Sequence, residues 1–116
     1  LILEPPKNVP ENLIHHWIRG YFEGGGHIGI HVNSCGDWER RVTLTGTREV
    51  LDFIQNQLKG MGRISPDTRS SIFINLIIDK QEDIKRFADY IYEDATEFLE
   101  RKKEIFDFVK GSDFDS

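Results

Sequence analysis

Apolar residues recur along this chain at two spacings, and the switches between them mark out its elements. Leu13, Ile14, Trp17, Ile18, Tyr21 and Phe22 follow the three-and-four spacing of a helix face. Pro10 suits the first turn of that helix, where a missing N–H leaves nothing unpaired. The helix is predicted to run to about Glu23 and to stop at Gly24, Gly25 and Gly26, because glycine reaches the left-handed conformations that close helices. The spacing then becomes strict alternation. Ile28, Ile30 and Val32 point inward, with His27, Gly29, His31 and Asn33 between them; a turn at Ser34 to Asp37 leads to WERRVTLTG, with Val42 and Leu44 inward. Thr47 is the expected N-cap of TREVLDFIQNQLKG, which buries Val50, Leu51, Phe53, Ile54 and Leu58 and stops at Gly60. A second hairpin follows: a strand from Gly62 to Ser65, a turn through Pro66-Asp67, and a strand from Ser71 to Asp79. QEDIKRFADYIY and ATEFLERKKEIFDFV read as helices, and GSDFDS as a frayed tail.

The order is αββαββα(α), an α+β pattern of two helix-hairpin halves. It predicts a four-stranded, mainly antiparallel sheet with helices on one face. Residues 1–9 form an extended N-terminal segment, 10–110 a single domain and 111–116 the tail. A chain of 116 residues can bury one core.

If the helices cover one face, the other is open, and alternation assigns its residues. The first hairpin contributes His27, His31, Asn33, Glu39, Arg41 and Thr43. The second contributes Arg63, Ser65, Arg69, Ser71, Phe73 and Asn75. A two-stranded ribbon fits the major groove of duplex DNA, where arginine suits guanine edges, asparagine suits adenine, and serine or threonine pairs with either. The plain alternative is that any half-exposed sheet shows polar residues to water.

Charge first argues against nucleic acid, since the net value is −5. Its distribution changes the picture. Residues 1–80 hold nine Lys/Arg against nine Asp/Glu, whereas 81–116 hold six against eleven, so the acidic excess lies wholly in the last third. No apolar run approaches the roughly 20 residues needed to cross a bilayer, and LILEPPKNVP lacks the pattern of a signal peptide. A cytoplasmic location is expected, in agreement with one cysteine, Cys35, that has no partner for an internal disulfide. A start without methionine suggests a fragment of something longer.

WIRGYFEGGGHI resembles the helix-and-turn signature of the LAGLIDADG homing endonucleases, especially the bacterial and phage variants that read like RGYFDGDGSI. NVPENLIHHWIRGYF, VTLTGTREVLDFIQNQL and IYEDATEFLERKKEIF resemble that family's segments in the same order, so the likeness covers residues 8 to 108. The resemblance implies that motif helices of two domains pack at a dimer axis while two sheets form a saddle over double-stranded DNA. Ile18, Gly20, Tyr21 and Gly24 would then lie at or near the partner helix. One motif copy implies a homodimer on a roughly twofold-symmetric site, and an origin in an intron- or intein-associated mobile element. Neither a membrane nor a small-molecule substrate is implied.

The resemblance also places a metal-binding acid at the eighth motif position, where each domain's carboxylate holds Mg²⁺ for phosphodiester hydrolysis. This chain has Gly25 there. Glu23 matches an acid that the family uses mainly at the helix end, and Lys80 lies near where the family keeps a basic residue that assists the attacking water. Three explanations of Gly25 stand: natural loss of a former endonuclease activity, an engineered inactive variant, or an active enzyme recruiting another acid such as Glu23. Mg²⁺ is the expected cofactor if the chain is active, and none otherwise. The leading expectation is a dimeric DNA reader with cleavage impaired. Its rivals are an active Mg²⁺-dependent endonuclease and a protein-interaction module, the latter supported by net acidity.

Other candidate chemistry is thin. His27 and His31 are four apart in a strand, roughly 13 Å, too far to share an ion. His15 and His16 read as helix-surface residues, ERKKE as a solvated helix face, and Trp38 as packing under the hairpin.

Overall fold

The computed structural model describes residues 4–93. The ATEFLERKKEIFDFV stretch with its ERKKE run, and the GSDFDS tail, lie outside the described residues. A short 3-10 turn at Glu11–Leu13 leads into helix α1, Ile14–Gly25. Strands β1 (Gly26–Val32) and β2 (Trp38–Gly46) follow, then helix α2 (Arg48–Gln57), strands β3 (Arg63–Pro66) and β4 (Ile74–Ile78), and helix α3 (Gln81–Ile91). The strands form one sheet in the order β1-β2-β4-β3, and every neighbouring pair is antiparallel. This is the α+β architecture that the spacing predicts, with β1 and β3 at the edges.

The end of α1 differs from expectation. Gly24 and Gly25 continue the helix, and only Gly26 leaves it, with φ −92° rather than a left-handed angle. The reason is that β1 starts at Gly26 with no intervening loop, so the chain must exit in extended backbone. Glycine is needed there because a Cβ would overlap the Phe22 ring and stand 2.7 Å from Phe22 O. Pro10 sits just before the first turn, its carbonyl accepting from Leu13 N–H at 2.9 Å.

The core lies between the helices and one face of the sheet. Ile18, Phe22, Val42, Leu44, Leu51, Ile54, Leu76, Ile78, Ile84, Phe87 and Ile91 are fully buried. Phe22 meets Phe87 edge-on with ring centroids 5.6 Å apart, tying α1 to α3; such a pair adds about 0.5–1.5 kcal/mol beyond its buried area. Trp17 stacks on Tyr21 and takes the edge of Phe53, which joins α1 to α2 and leaves Phe53 half-buried. Thr47 caps α2 by accepting from Val50 N–H at 3.4 Å.

Four side chains lie elsewhere than expected. His15 is buried, its Nε2 3.1 Å from Glu93 O, because the chain leaving α3 passes over the start of α1. Trp38 is 71% exposed rather than packed, as are its neighbours Ile30 and Val32 to a lesser degree. They share the helix-side face with Val42 but stand on the far half of the hairpin, past the described helices.

Candidate nucleic-acid interface

Register assigns the open face. In β1 and β2, His27 stands opposite Thr43, Gly29 opposite Arg41 and His31 opposite Glu39. Across β2 and β4, Thr43 pairs with Ile77 and Thr45 with Asn75. Across β3 and β4, Arg63 pairs with Ile77 and Ser65 with Asn75. The expected residues His27, His31, Glu39, Arg41, Thr43, Arg63, Ser65 and Asn75 therefore share one surface that the described helices leave uncovered. Thr45 and Ile77 belong to it too, although the sequence reading missed both. Alternation does contain that signal: Thr45 follows Arg41 and Thr43 by twos, and Ile77 follows Asn75.

Four expected members are not strand residues. Asn33 lies in the hairpin turn, where its Oδ1 accepts from Cys35 N–H at 2.9 Å and Asp37 N–H at 3.0 Å. Arg69, Ser71 and Phe73 fall in the connection between β3 and β4, because β4 starts only at Ile74. Side chains close that connection in place of a ladder. Asp67 Oδ1 accepts from Arg69 N–H at 3.0 Å, and Ser70 Oγ accepts from Ile72 and Phe73 N–H. Those bonds from Arg69, first its backbone N–H and then its side chain, hold the Asp67 carboxyl below the usual carboxylate range.

Several polar groups on the open face are already paired. Arg63 Nη2 donates to Asp79 Oδ2 at 3.1 Å. Thr45 Oγ1 donates to Asn75 Oδ1 at 2.6 Å, so that oxygen is engaged before any base approaches. His31 Nε2 lies 3.8 Å from Glu39 Oε1. In the β3–β4 connection, Arg69 Nε donates to Asp67 Oδ1 at 3.3 Å.

The α1 terminus presents little chemistry. Glu23 Oε2 accepts from Tyr92 Oη at 3.3 Å, so its carboxylate is held toward the end of α3. Gly20, Gly24 and Gly25 are exposed, and a Cβ on any of them would meet nothing within 4 Å. Ile18 and Tyr21 face the other way: Ile18 is fully buried, and Tyr21 donates its hydroxyl to Thr45 O at 2.7 Å. Their expected place at a partner helix is corrected, since both belong to this chain's own core. Lys80 is also displaced. It follows β4, whose Ile78 pairs with Val42 and through it aligns with Ile28. Lys80 thus falls level with Ile30, roughly 17 Å along the strands from Gly25. Glu23 and Lys80 do not form one constellation.

Neither a protein-family model nor a curated protein matches the sequence. Solved structures do. An archaeal intron-encoded homing endonuclease, I-Vdi141I, complexed with DNA, aligns at TM-score 0.74 and 20% identity over 92% of this chain and 72% of its own. The group I intron-encoded I-CeuI, also complexed with DNA, aligns at TM-score 0.71 and 18% identity, over 94% of this chain and 56% of that one. The LAGLIDADG meganuclease I-AabMI, bound to uncleaved DNA, aligns at TM-score 0.66 and 16% identity, over 84% and 34%. This chain has the LAGLIDADG homing-endonuclease fold. It spans about a third of I-AabMI and just over half of I-CeuI.

The LAGLIDADG fold brings the question of magnesium with it, and the residues present do not fit the ion. Mg²⁺ takes hard oxygen ligands, usually one or two carboxylates. The α1 terminus offers backbone carbonyls and Glu23, which is already bonded to Tyr92. Among the described residues no three His, Cys, Asp or Glu side chains converge.

Proposed function

We propose that this chain binds double-stranded DNA through the open face of its sheet, as a dimer of identical chains, and that the missing carboxylate at Gly25 impairs cleavage. The observation that carries the reading is the surface, left uncovered by the described helices, on which His27, Arg41, Thr43, Arg63, Ser65 and Asn75 meet. Strand residues on one face repeat every ~6.7 Å, close to two base-pair steps, so such a surface matches the spacing of base edges along a groove. The LAGLIDADG fold supports the choice of partner, and the exposed glycines of α1 support a helix-to-helix dimer, since two backbones can approach where no side chain intervenes.

The test is duplex binding as a function of salt, with sedimentation of the free and bound protein. A steep fall in affinity with salt, and a complex holding two chains, are expected. Binding that ignores salt, or a monomer on DNA, would overturn the reading. Adding Mg²⁺ to the complex should produce no efficient cutting; cutting would mean that another acid serves.

A protein-interaction module is the second reading, favoured by the exposed Ile30, Val32 and Trp38 on the far half of the hairpin. It requires that no duplex be bound at about 0.15 M salt, a concentration at which DNA-binding proteins still hold non-specific duplex.

A further inference from the structure

Of the three arginines that the sequence assigns to the DNA face, the structure leaves one unengaged. Arg63 is bonded to Asp79 and Arg69 to Asp67. The Arg41 side chain has no hydrogen-bond or ion-pair partner among the described residues, and its Nε is covered and unsatisfied. The acids nearest to it along the sheet are taken. Glu39, two residues earlier on the same face of β2, stands against His31, and Asp79, one step past the Val42–Ile78 pair, holds Arg63.

We infer that Arg41 is the residue through which each chain reads a guanine, one per half-site, while Arg63 and Arg69 do not read bases. The inference rests on the DNA-binding reading above. Arg41 lies on an interior strand and is half-buried, so its planar end is held in fewer positions than an arginine on an exposed edge. Its cross-strand neighbour is Gly29, which leaves the space beside it without a side chain. The His27 ring leans into that space, its Nε2 3.2 Å from where a Gly29 Cβ would stand, so one wall of the station is an imidazole.

Arginine carries five donors and no acceptor, and it needs two acceptors side by side. Guanine N7 and O6 are the base edge that supplies them in the major groove. Arg63 and Arg69 first have to leave a carboxylate, and that carboxylate then faces the same acceptors with the wrong sign. Arg41 lies level with Gly29, three residues and roughly 10 Å along β1 from Gly26, so the guanine is expected about three base-pair steps outward from the end of α1.

The experiment is selection of bound duplexes from a randomised pool, run in parallel with the parent protein, Arg41→Ala, Arg41→Gln and Arg63→Ala. The parent is expected to enrich a near-palindrome with one strongly specified guanine in each half. Arg41→Ala should lose that guanine by roughly 5- to 150-fold while keeping the rest of the site, and Arg41→Gln should move the preference toward adenine. Arg63→Ala should retain the guanine. Retention by Arg41→Ala, or its loss in Arg63→Ala, overturns the inference and leaves DNA binding standing. No enriched sequence with the parent overturns sequence reading itself. Should Arg41→Ala fail to fold, as judged by circular dichroism, Arg41→Gln keeps much of the stem and pairs with adenine rather than guanine; guanine retained by Arg41→Gln counts against Arg41.

Discussion

Arg63 Nη2 lies 3.1 Å from Asp79 Oδ2, across the edge of the sheet between β3 and the residue that follows β4. The two residues are sixteen apart in the chain. They meet because Arg63 pairs with Ile77 and Asp79 is the next residue on that face. An arginine that sequence alone offers to DNA is thereby partly neutralised by its own protein. Asp79→Asn should release it. The expected result is tighter duplex binding with a salt slope steeper by about 0.9, the contribution of one further phosphate contact. Stability should change by no more than about 1 kcal/mol, as both partners are partly exposed. Fluorescence anisotropy across a salt series, with thermal denaturation alongside, measures both; an unchanged slope would show that Arg63 reaches no phosphate.

Tyr21 and Gly46 form a second close relationship. The Tyr21 hydroxyl bonds Thr45 O and occupies the space a Cβ on Gly46 would need. Gly46→Ala is expected to cost about 1–3 kcal/mol by overpacking. In a Tyr21→Phe background, which itself loses about 1 kcal/mol with the hydrogen bond, the added cost should shrink because the nearest atom is gone. A double-mutant cycle in urea reads that coupling, and strict additivity would contradict the contact.

Burial pushes the Tyr21 phenol above its ordinary range. The folded state therefore favours the protonated form. The resulting stability is fully present below about pH 10 and is lost as pH rises through the folded value. Melting temperatures should fall on the alkaline side, and less steeply in Tyr21→Phe. Tyr90 is raised as well, by burial and then by the charges of Glu11 and Glu93, so part of the fall should survive in that variant.

Gly25 has room for a side chain, since a Cβ there meets nothing within 4 Å and the residue is helical. Gly25→Asp should fold, at a cost of about 0.3–1 kcal/mol for an acid near a helix C-terminus. If the missing carboxylate limits cleavage, the variant gains Mg²⁺-dependent cutting of the selected site, abolished by a chelator. A folded, DNA-binding Gly25→Asp that leaves the site intact would show that the defect lies elsewhere.

The exposed face of α1 allows monomer stability to be tested apart from the proposed dimerisation. Gly24→Ala adds a methyl group to open space in one chain and should raise helix stability by up to about 1 kcal/mol. Gly24→Leu should fold equally well yet weaken self-association, because two helices can no longer approach there. Sedimentation velocity over a dilution series checks this. Unaltered association would place the dimer contact on another surface.

Several particulars show where local pattern stops being informative. Alternation continues from Ser71 through Phe73 into Ile74 without a break, so the sequence reads one long strand. The structure starts β4 at Ile74, because Asp67 and Ser70 bind the backbone of the connection and remove it from the ladder. Asn33 alternates with its neighbours yet closes a turn through its own Oδ1. In both places a short polar side chain competes with the sheet for backbone N–H groups, and composition does not announce the winner.

The order of elements, the two faces of the sheet and the helix stripes that cover one of them follow from spacings of two and of three to four residues, which any stretch of chain displays on its own. Which charges remain available does not follow from them. That depends on cross-strand register, which set Arg63 beside Asp79, Thr45 beside Asn75 and Arg41 beside Gly29, pairings between segments that share no local pattern. The same holds for Lys80, which the sequence places after a strand and the sheet carries to the opposite end from Gly25. Periodicity is a property of neighbours along the chain, whereas a binding surface is made by neighbours in space, and only packing converts one into the other.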